Sequence, residues 1–266
     1  MSARRLRPDV SDPTVAACQC ALADCDPAAN VATVRARLAG LDERADVAVF
    51  PEYALTGFVA DDRLADAALA RDGPELAAVA DAAASADVAA LVGFVEDAGD
   101  ARYNTLAYLA PDGERTHYRK RHLWADERAV LDAGDERTVV ETPVGRTGLL
   151  TCYDLNFVHE SAALVDADTD ALFVPGAWPA PHAANWDLLL RARALDGVRW
   201  VVGCGRTGER TLGDPGVYAG RSAVVRPDGA VRARLGWDER DLVAPLDPAV
   251  LADQRALVGS VAQRER

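Results

Sequence analysis

Lysine is almost missing from this chain of 266 residues: of its 29 basic residues, 28 are arginine and one, Lys120, is lysine. Positive charge is scarce overall, and the formal net charge of −13 sets up a field that repels nucleic acid and anionic membrane surfaces. Neither is an expected partner. Long apolar runs are absent as well. The longest, "VAALVGFV" from Val88 to Val95, falls well short of the roughly 20 residues that a membrane-spanning helix requires. The opening "MSARRLRPDVSDPTVAACQC" has basic residues but no continuous apolar core before "RPDVSDP", so no signal peptide is expected and the cytoplasm is the expected location. Cysteine is sparse and odd in number, at five, which argues against a disulfide framework. Cys18, Cys20 and Cys25 follow C-x-C-x4-C spacing. That pattern lacks both the paired C-x2-C geometry and a nearby histidine of a zinc site, so these are read as buried strand residues and no metal or cofactor is expected.

Half of the residues are apolar, and strand-length apolar segments alternate with alanine-rich helical stretches, the pattern of a layered α/β protein. No low-complexity linker or repeat interrupts it, and residues 1–266 are read as one domain. Abundant aspartate and alanine with almost no lysine match a surface adapted to high salt, and a GC-rich codon bias produces the same composition.

"TVAACQCALA" reads as a first strand. "DPAANVATVRARLAGLDER" reads as the helix after it, with Asp26 as cap and Pro27 in the first turn. "ADVAVF" is a short buried strand stopped by Pro51, which places Glu52 just past a strand end, where α/β proteins put their chemistry. "DGPELAAVADAAASAD" is helical and "VAALVGFVE" the next strand. "YNTLAYLAPDGERTHYRKRHL" reads as two strands around a Pro-Asp-Gly turn, with Lys120 near the end of the second. An irregular acidic segment precedes "RTVVETPVGRTGLLTCYDL", a strand pair running into Cys152. Beyond it come helical "FVHESAALVDAD", the strand "ALFVPGAW", helical "NWDLLLRARALDGV", the strand "RWVVGCGRTG" and a hairpin, "SAVVRPDGAVRARL". Two mixed sheets covered by helices are expected.

A cysteine at a strand-to-helix turn meets backbone N–H groups and the positive end of a helix dipole, which favour thiolate. Cys152 is thus a candidate nucleophile, with a buried apolar filler as the alternative; Cys204 has a less suggestive setting. Of the histidines, His117, His122, His159 and His182, His159 could approach the thiol as a Cys/His arrangement, while His122 reads as a structural hydrogen-bonder. Lysine differs from arginine in presenting a compact ammonium that fits beside one oxygen and can lose its proton when desolvated, so the lone Lys120 is a second candidate.

"VFPEYALTGF", "YRKRHLW" and "LLTCYDLNFVHE", in that order, resemble the three catalytic blocks of the nitrilase superfamily, carbon-nitrogen hydrolases with a Glu-Lys-Cys triad. The likeness extends over nearly the whole chain and implies a four-layer α-β-β-α sandwich with two mixed β-sheets, paired as a homodimer or a higher homo-oligomer. By this resemblance Glu52 is the general base, Lys120 the ammonium at the oxyanion and Cys152 the nucleophile. Glu127 matches the family's second glutamate, the backbone N–H of Tyr153 joins the oxyanion site, and Trp124, Trp178 and Tyr153 shape the pocket. Two carboxylates beside an ammonium must titrate as a coupled unit.

The chain departs from the family pattern in three places. Asn156, Phe157, Val158 and His159 stand where Arg-Phe-Pro-Glu is commoner, although Glu160 follows, and this removes a cation suited to an anionic substrate group. Asp196 replaces a glutamate that orders the fold, and Gly197 replaces an asparagine. The implied activity is hydrolysis of a small linear amide through a thioester, with "CYD" following amidase-like branches. Alternatives are an N-carbamoyl amine hydrolase, a nitrilase, acyl transfer by the same thioester, and a catalytically silent interaction protein on the same scaffold.

Overall fold

In the run Thr14–Gln19 (β1), alternation sends Val15 and Ala17 to one face and Ala16 and Cys18 to the other, and all four are fully buried. A strand covered on both sides belongs in the middle layers of a stack. The computed structural model describes residues 12–41 and 44–259; residues 1–11 of the segment read above for a signal sequence lie outside the described residues. After β1 come α1 (Pro27–Ala39), β2 (Val47–Val49), α2 (Arg63–Ala67), α3 (Pro74–Ala86), β3 (Ala89–Asp97), β4 (Arg102–Leu109) and β5 (Arg115–Arg119). The chain continues through α4 (Glu127–Val130), β6 (Val139–Thr142), β7 (Gly145–Leu149), α5 (Val158–Asp166), β8 (Ala171–Gly176), α6 (Ala183–Gly197) and β9 (Trp200–Gly205). It ends with β10 (Ala223–Val225), β11 (Val231–Arg234), β12 (Arg240–Pro245) and α7 (Pro248–Val258).

The strands form two six-stranded sheets, ordered β12-β1-β2-β3-β4-β5 and β11-β10-β9-β8-β7-β6. In the first, β1, β2 and β3 are parallel, and β12, β4 and β5 extend the sheet antiparallel. The second repeats the scheme: β7, β8 and β9 are parallel, flanked by antiparallel β6, β10 and β11. The two Pro-Asp-Gly turns occupy matching places, closing β4–β5 and β10–β11, and Gly113 (φ 96°) and Gly229 (φ 76°) supply the left-handed residue each turn needs.

Between the sheets lie Val15, Val47, Leu106, Leu149, Phe173 and Val202, drawn from both. On the outer side of the first sheet, Ala16, Ala48 and Val92 pack against Val34 and Leu38 of α1 and Leu76 and Val79 of α3. Outside the second, Leu172, Val174 and Val201 pack against Leu164 of α5 and Trp186 and Leu190 of α6. These four layers are the α-β-β-α sandwich expected. Helix α1 starts as read: Asp26 accepts from the Ala29 N–H at 3.0 Å, with Pro27 next.

Four elements went unread in the sequence. α2 and α4 are single short turns, and α4 lies inside the segment read as irregular. β12 is a charged, half-exposed edge strand without clean alternation, and α7 buries little more than Leu251. Cys18 and Cys20 are buried and Cys25 is half-buried; all are free. Among the described residues no cysteine belongs to a cluster able to hold a metal.

Candidate active site

Because β1, β2 and β3 are parallel and β5 runs the same way as β3, the carboxyl ends of β2 and β5 lie at one edge of the first sheet. Glu52 follows β2 and Lys120 follows β5. The ends of β7 and β8, leading to Cys152 and Ala177, meet them from the second sheet. Contact is direct: Ala177 N–H donates to Glu52 Oε2 at 2.8 Å across 125 residues of sequence.

Lys120 is 1% exposed, and its Nζ lies 2.8 Å from Glu52 Oε1 and 2.8 Å from both oxygens of Glu127. All three N–H bonds therefore have carboxylate partners. Burial alone would strip the ammonium of its proton, but Glu52 and then Glu127 outweigh it and hold Lys120 well above the usual lysine range. Of the two reasons for lysine given above, compact charge is the one this environment supports; loss of the proton is opposed.

Glu127 accepts more than its share. Besides Lys120, it takes the Tyr53 hydroxyl in a short hydrogen bond, Asn104 Nδ2 at 3.2 Å and the Trp124 N–H at 2.6 Å. With its acceptor positions filled, it acts as a clamp on the ammonium. Glu52 takes Lys120, Asn104 Nδ2 at 2.8 Å and Ala177 N–H, and its charge is the one that acts most strongly on the Cys152 thiol.

The thiol corrects one expectation. Cys152 opens a single 3₁₀ turn, Cys152–Asn156, instead of a long helix, so the dipole behind it is short. Burial, followed by the charge of Glu52, pushes its pKa well above the usual thiol range, with Lys120 pulling the other way. The resting group is a thiol. His159 is also corrected: it is exposed and turns to Glu160 at 3.0 Å, and the charges acting most strongly on Cys152 come from Glu52, Lys120 and Glu127.

Two residues at the site adopt left-handed backbone without being glycine, Tyr53 (φ 59°) and Cys152 (φ 47°), a cost of the order of 1–3 kcal/mol each that surrounding contacts must offset. One such contact is Asp154, two residues after Cys152 and fully buried. Its Oδ2 accepts from the Tyr118 hydroxyl at 2.7 Å and Thr151 N–H at 3.0 Å. Its Oδ1 accepts the His122 N–H at 3.0 Å and lies 2.9 Å from His122 Nδ1. The turn that carries Cys152 is thereby tied to the strand end that carries Lys120, and His122 is the structural hydrogen-bonder expected.

Cys152 lies at a cavity of about 190 Å³ lined also by Trp124, Tyr153, Trp178 and Pro179, with Asn156, His182 and Asn185 exposed at its mouth. The three aromatic residues named from the sequence all face this space. Tyr53, Asn104 and Asp154 were not singled out. Their signal is faint: Tyr53 adjoins Glu52 and Asp154 lies in the "CYD" block, but Asn104 sits mid-strand with nothing to mark it. Asp196, as expected, orders the fold, bonding Arg193 at 2.9 Å and Ser161 at 3.3 Å.

His122, His159 and Glu160 bring donor atoms within 4.8 Å of one another. Glu160 already binds Arg121 and Arg137 and His122 faces Asp154, so a cation there would compete with two guanidinium groups.

Residues 14–256 match the family model described as carbon-nitrogen hydrolase. An (R)-stereoselective amidase from a Pseudomonas species is 34% identical over 225 residues, 84% of this chain and 81% of that protein. An omega-amidase of Escherichia coli K12 is 35% identical over 234 residues, covering 86% and 88%. Among solved structures, a CN-hydrolase superfamily protein of Xanthomonas campestris with an arsenic adduct in its active site superimposes with a TM-score of 0.87 at 28% identity, over 96% of this chain and 97% of that one.

Proposed function

The chain belongs to the carbon-nitrogen hydrolase family and is an amide-hydrolysing enzyme, and on that premise we propose that it cleaves small linear amides through a thioester on Cys152, releasing ammonia and a carboxylic acid. The observation that carries this reading is the buried Lys120 ammonium clamped by Glu52 and Glu127 beside a thiol that opens onto a small cavity.

Charge conservation explains the arrangement. At rest the buried cluster holds two carboxylates, one ammonium and a neutral thiol, a sum of −1. When sulfur bonds to the amide carbon, the carbonyl π pair moves to oxygen and the S–H proton moves to Glu52. The cluster then holds one carboxylate, one ammonium, one oxyanion and a neutral acid, again −1. No net charge has to be created in a desolvated site, where an unpaired one is costly. Lys120 and, by family likeness, the Tyr153 N–H stabilise the oxyanion. Collapse breaks the C–N bond as Glu52 protonates the leaving nitrogen. Glu52 then takes a proton from water as its oxygen attacks the thioester, and the thiol leaves with that proton. Glu127 keeps Lys120 in place throughout.

Two further proposals concern the setting. Leu188 and Leu195, seven residues apart on α6, are 64% and 56% exposed, and Val158 at the start of α5 is 64% exposed; this helical face supports pairing of two copies. Free thiols at every described cysteine suit a reducing, cytoplasmic compartment.

A panel of amides, nitriles and N-carbamoyl amines scored for ammonia release tests the activity. Amides are expected to be the best substrates, with Cys152→Ala inactive and Lys120→Arg lowering kcat by about 100-fold or more. Turnover surviving Cys152→Ala would remove the mechanism.

A further inference from the structure

The walls and mouth of the cavity carry information beyond the chemistry at its floor. Trp124, Tyr153, Trp178 and Pro179 present mainly apolar surface around Cys152, and no lysine, arginine, aspartate or glutamate is among the lining residues. At the mouth, the amide nitrogen of Asn156 donates to the Tyr153 carbonyl of its own turn at 3.2 Å. The side chain in the lining that can become a cation is the exposed His182. Nearby positive charge is committed elsewhere: all three Lys120 N–H bonds go to Glu52 and Glu127, and Arg121 is bound to Glu160. A substrate carboxylate entering this space would lose its hydration, find no buried cation to replace it, and approach a cluster whose sum is already −1.

The volume sets a second limit. At about 190 Å³ the space beside Cys152 is small, so the acyl group is short. The geometry points to a neutral, short, apolar acyl amide as the substrate class, with Asn156 as a specificity-determining residue that withholds the cation an acidic acyl chain would need. This rests on the amide-hydrolase reading above and narrows it.

A pair of isosteric probes tests it: 4-methylpentanamide and succinamate, which share one skeleton and differ in a terminal isopropyl against a carboxylate. Binding of each to Cys152→Ala by ligand-observed NMR titration, and kcat/KM of the wild type, are measured at both low and high salt so that the long-range field of the acidic chain is screened. The neutral amide is expected to be favoured by about 100-fold or more in both readouts, with Asn156→Arg narrowing the gap by about tenfold by supplying a partner for the carboxylate. Succinamate bound or turned over as well as its isostere, no detectable binding of either probe, or a gap untouched by Asn156→Arg would each overturn the assignment. Preferential binding of 4-methylpentanamide without ammonia release from it or from any amide of the wider panel would leave this assignment standing and sink the catalytic reading instead.

Discussion

Cys152 and Lys120 are each held in the protonation state that suits attack by a neutral thiol. The lysine keeps its proton because two carboxylates surround it, and the cysteine keeps its own because burial, and then the charge of the same carboxylates, disfavours a third anion. The sign is unambiguous: a thiol whose pKa is raised stays protonated as pH climbs through the ordinary thiol range and ionises only above it. The ultraviolet thiolate signal that Cys152→Ala removes from wild type is therefore expected to be missing below about pH 9, and a thiolate already present at neutral pH would show that Glu52 is not needed as base. Tyr53 belongs to the same balance. Burial and the two glutamates raise its pKa well above the usual phenol range, so it remains a hydrogen-bond donor and keeps Glu127 committed to the clamp.

Among the elements, the exit of β2 is built with little slack. Pro51 stops the strand and the chain turns across β3 so closely that a Cβ on Gly93 would lie 2.7 Å from Tyr53 N and 3.0 Å from Glu52 Cα. Backbone cannot give way there without moving Glu52. Gly93→Ala is expected to lower kcat by about tenfold or more while costing about 1–3 kcal/mol of stability, as measured by steady-state kinetics and denaturant unfolding. Unchanged kcat would mean that the turn tolerates displacement. The strands β4 and β5 show what pairing register adds: Asn104 lies opposite Val95, its carbonyl accepts the Lys120 N–H at 2.8 Å, and its side chain bridges Glu52 and Glu127. A single mid-strand asparagine thus fixes three residues of the site.

At the scale of the molecule, a net charge of −13 makes the folded state repel itself, and salt relieves that repulsion by shortening the range of each charge. Adaptation to high salt is proposed on this basis, together with pairing through the α5–α6 face. Raising KCl from about 0.1 M to about 3 M is expected to increase Tm by several degrees, with sedimentation as a dimer at the higher salt. A flat Tm would leave codon bias as the source of the acidic composition.

The sequence by itself determined the layers and pointed to the groups proposed to react. Strands buried on both faces, capped helices and two Pro-Asp-Gly turns are local signals, readable because each depends on neighbours a few residues away, and Glu52, Lys120 and Cys152 stood out by residue type and block order. Tertiary structure decided the rest. That Glu127 binds the Lys120 ammonium through both oxygens, that the thiol is protonated at rest, and that Tyr53, Asn104, Asp154 and the Ala177 N–H surround these groups all follow from partners brought together across as many as 125 residues of chain. A pKa or a hydrogen bond depends on distance in space, and strand pairing, which no local pattern specifies, sets those distances.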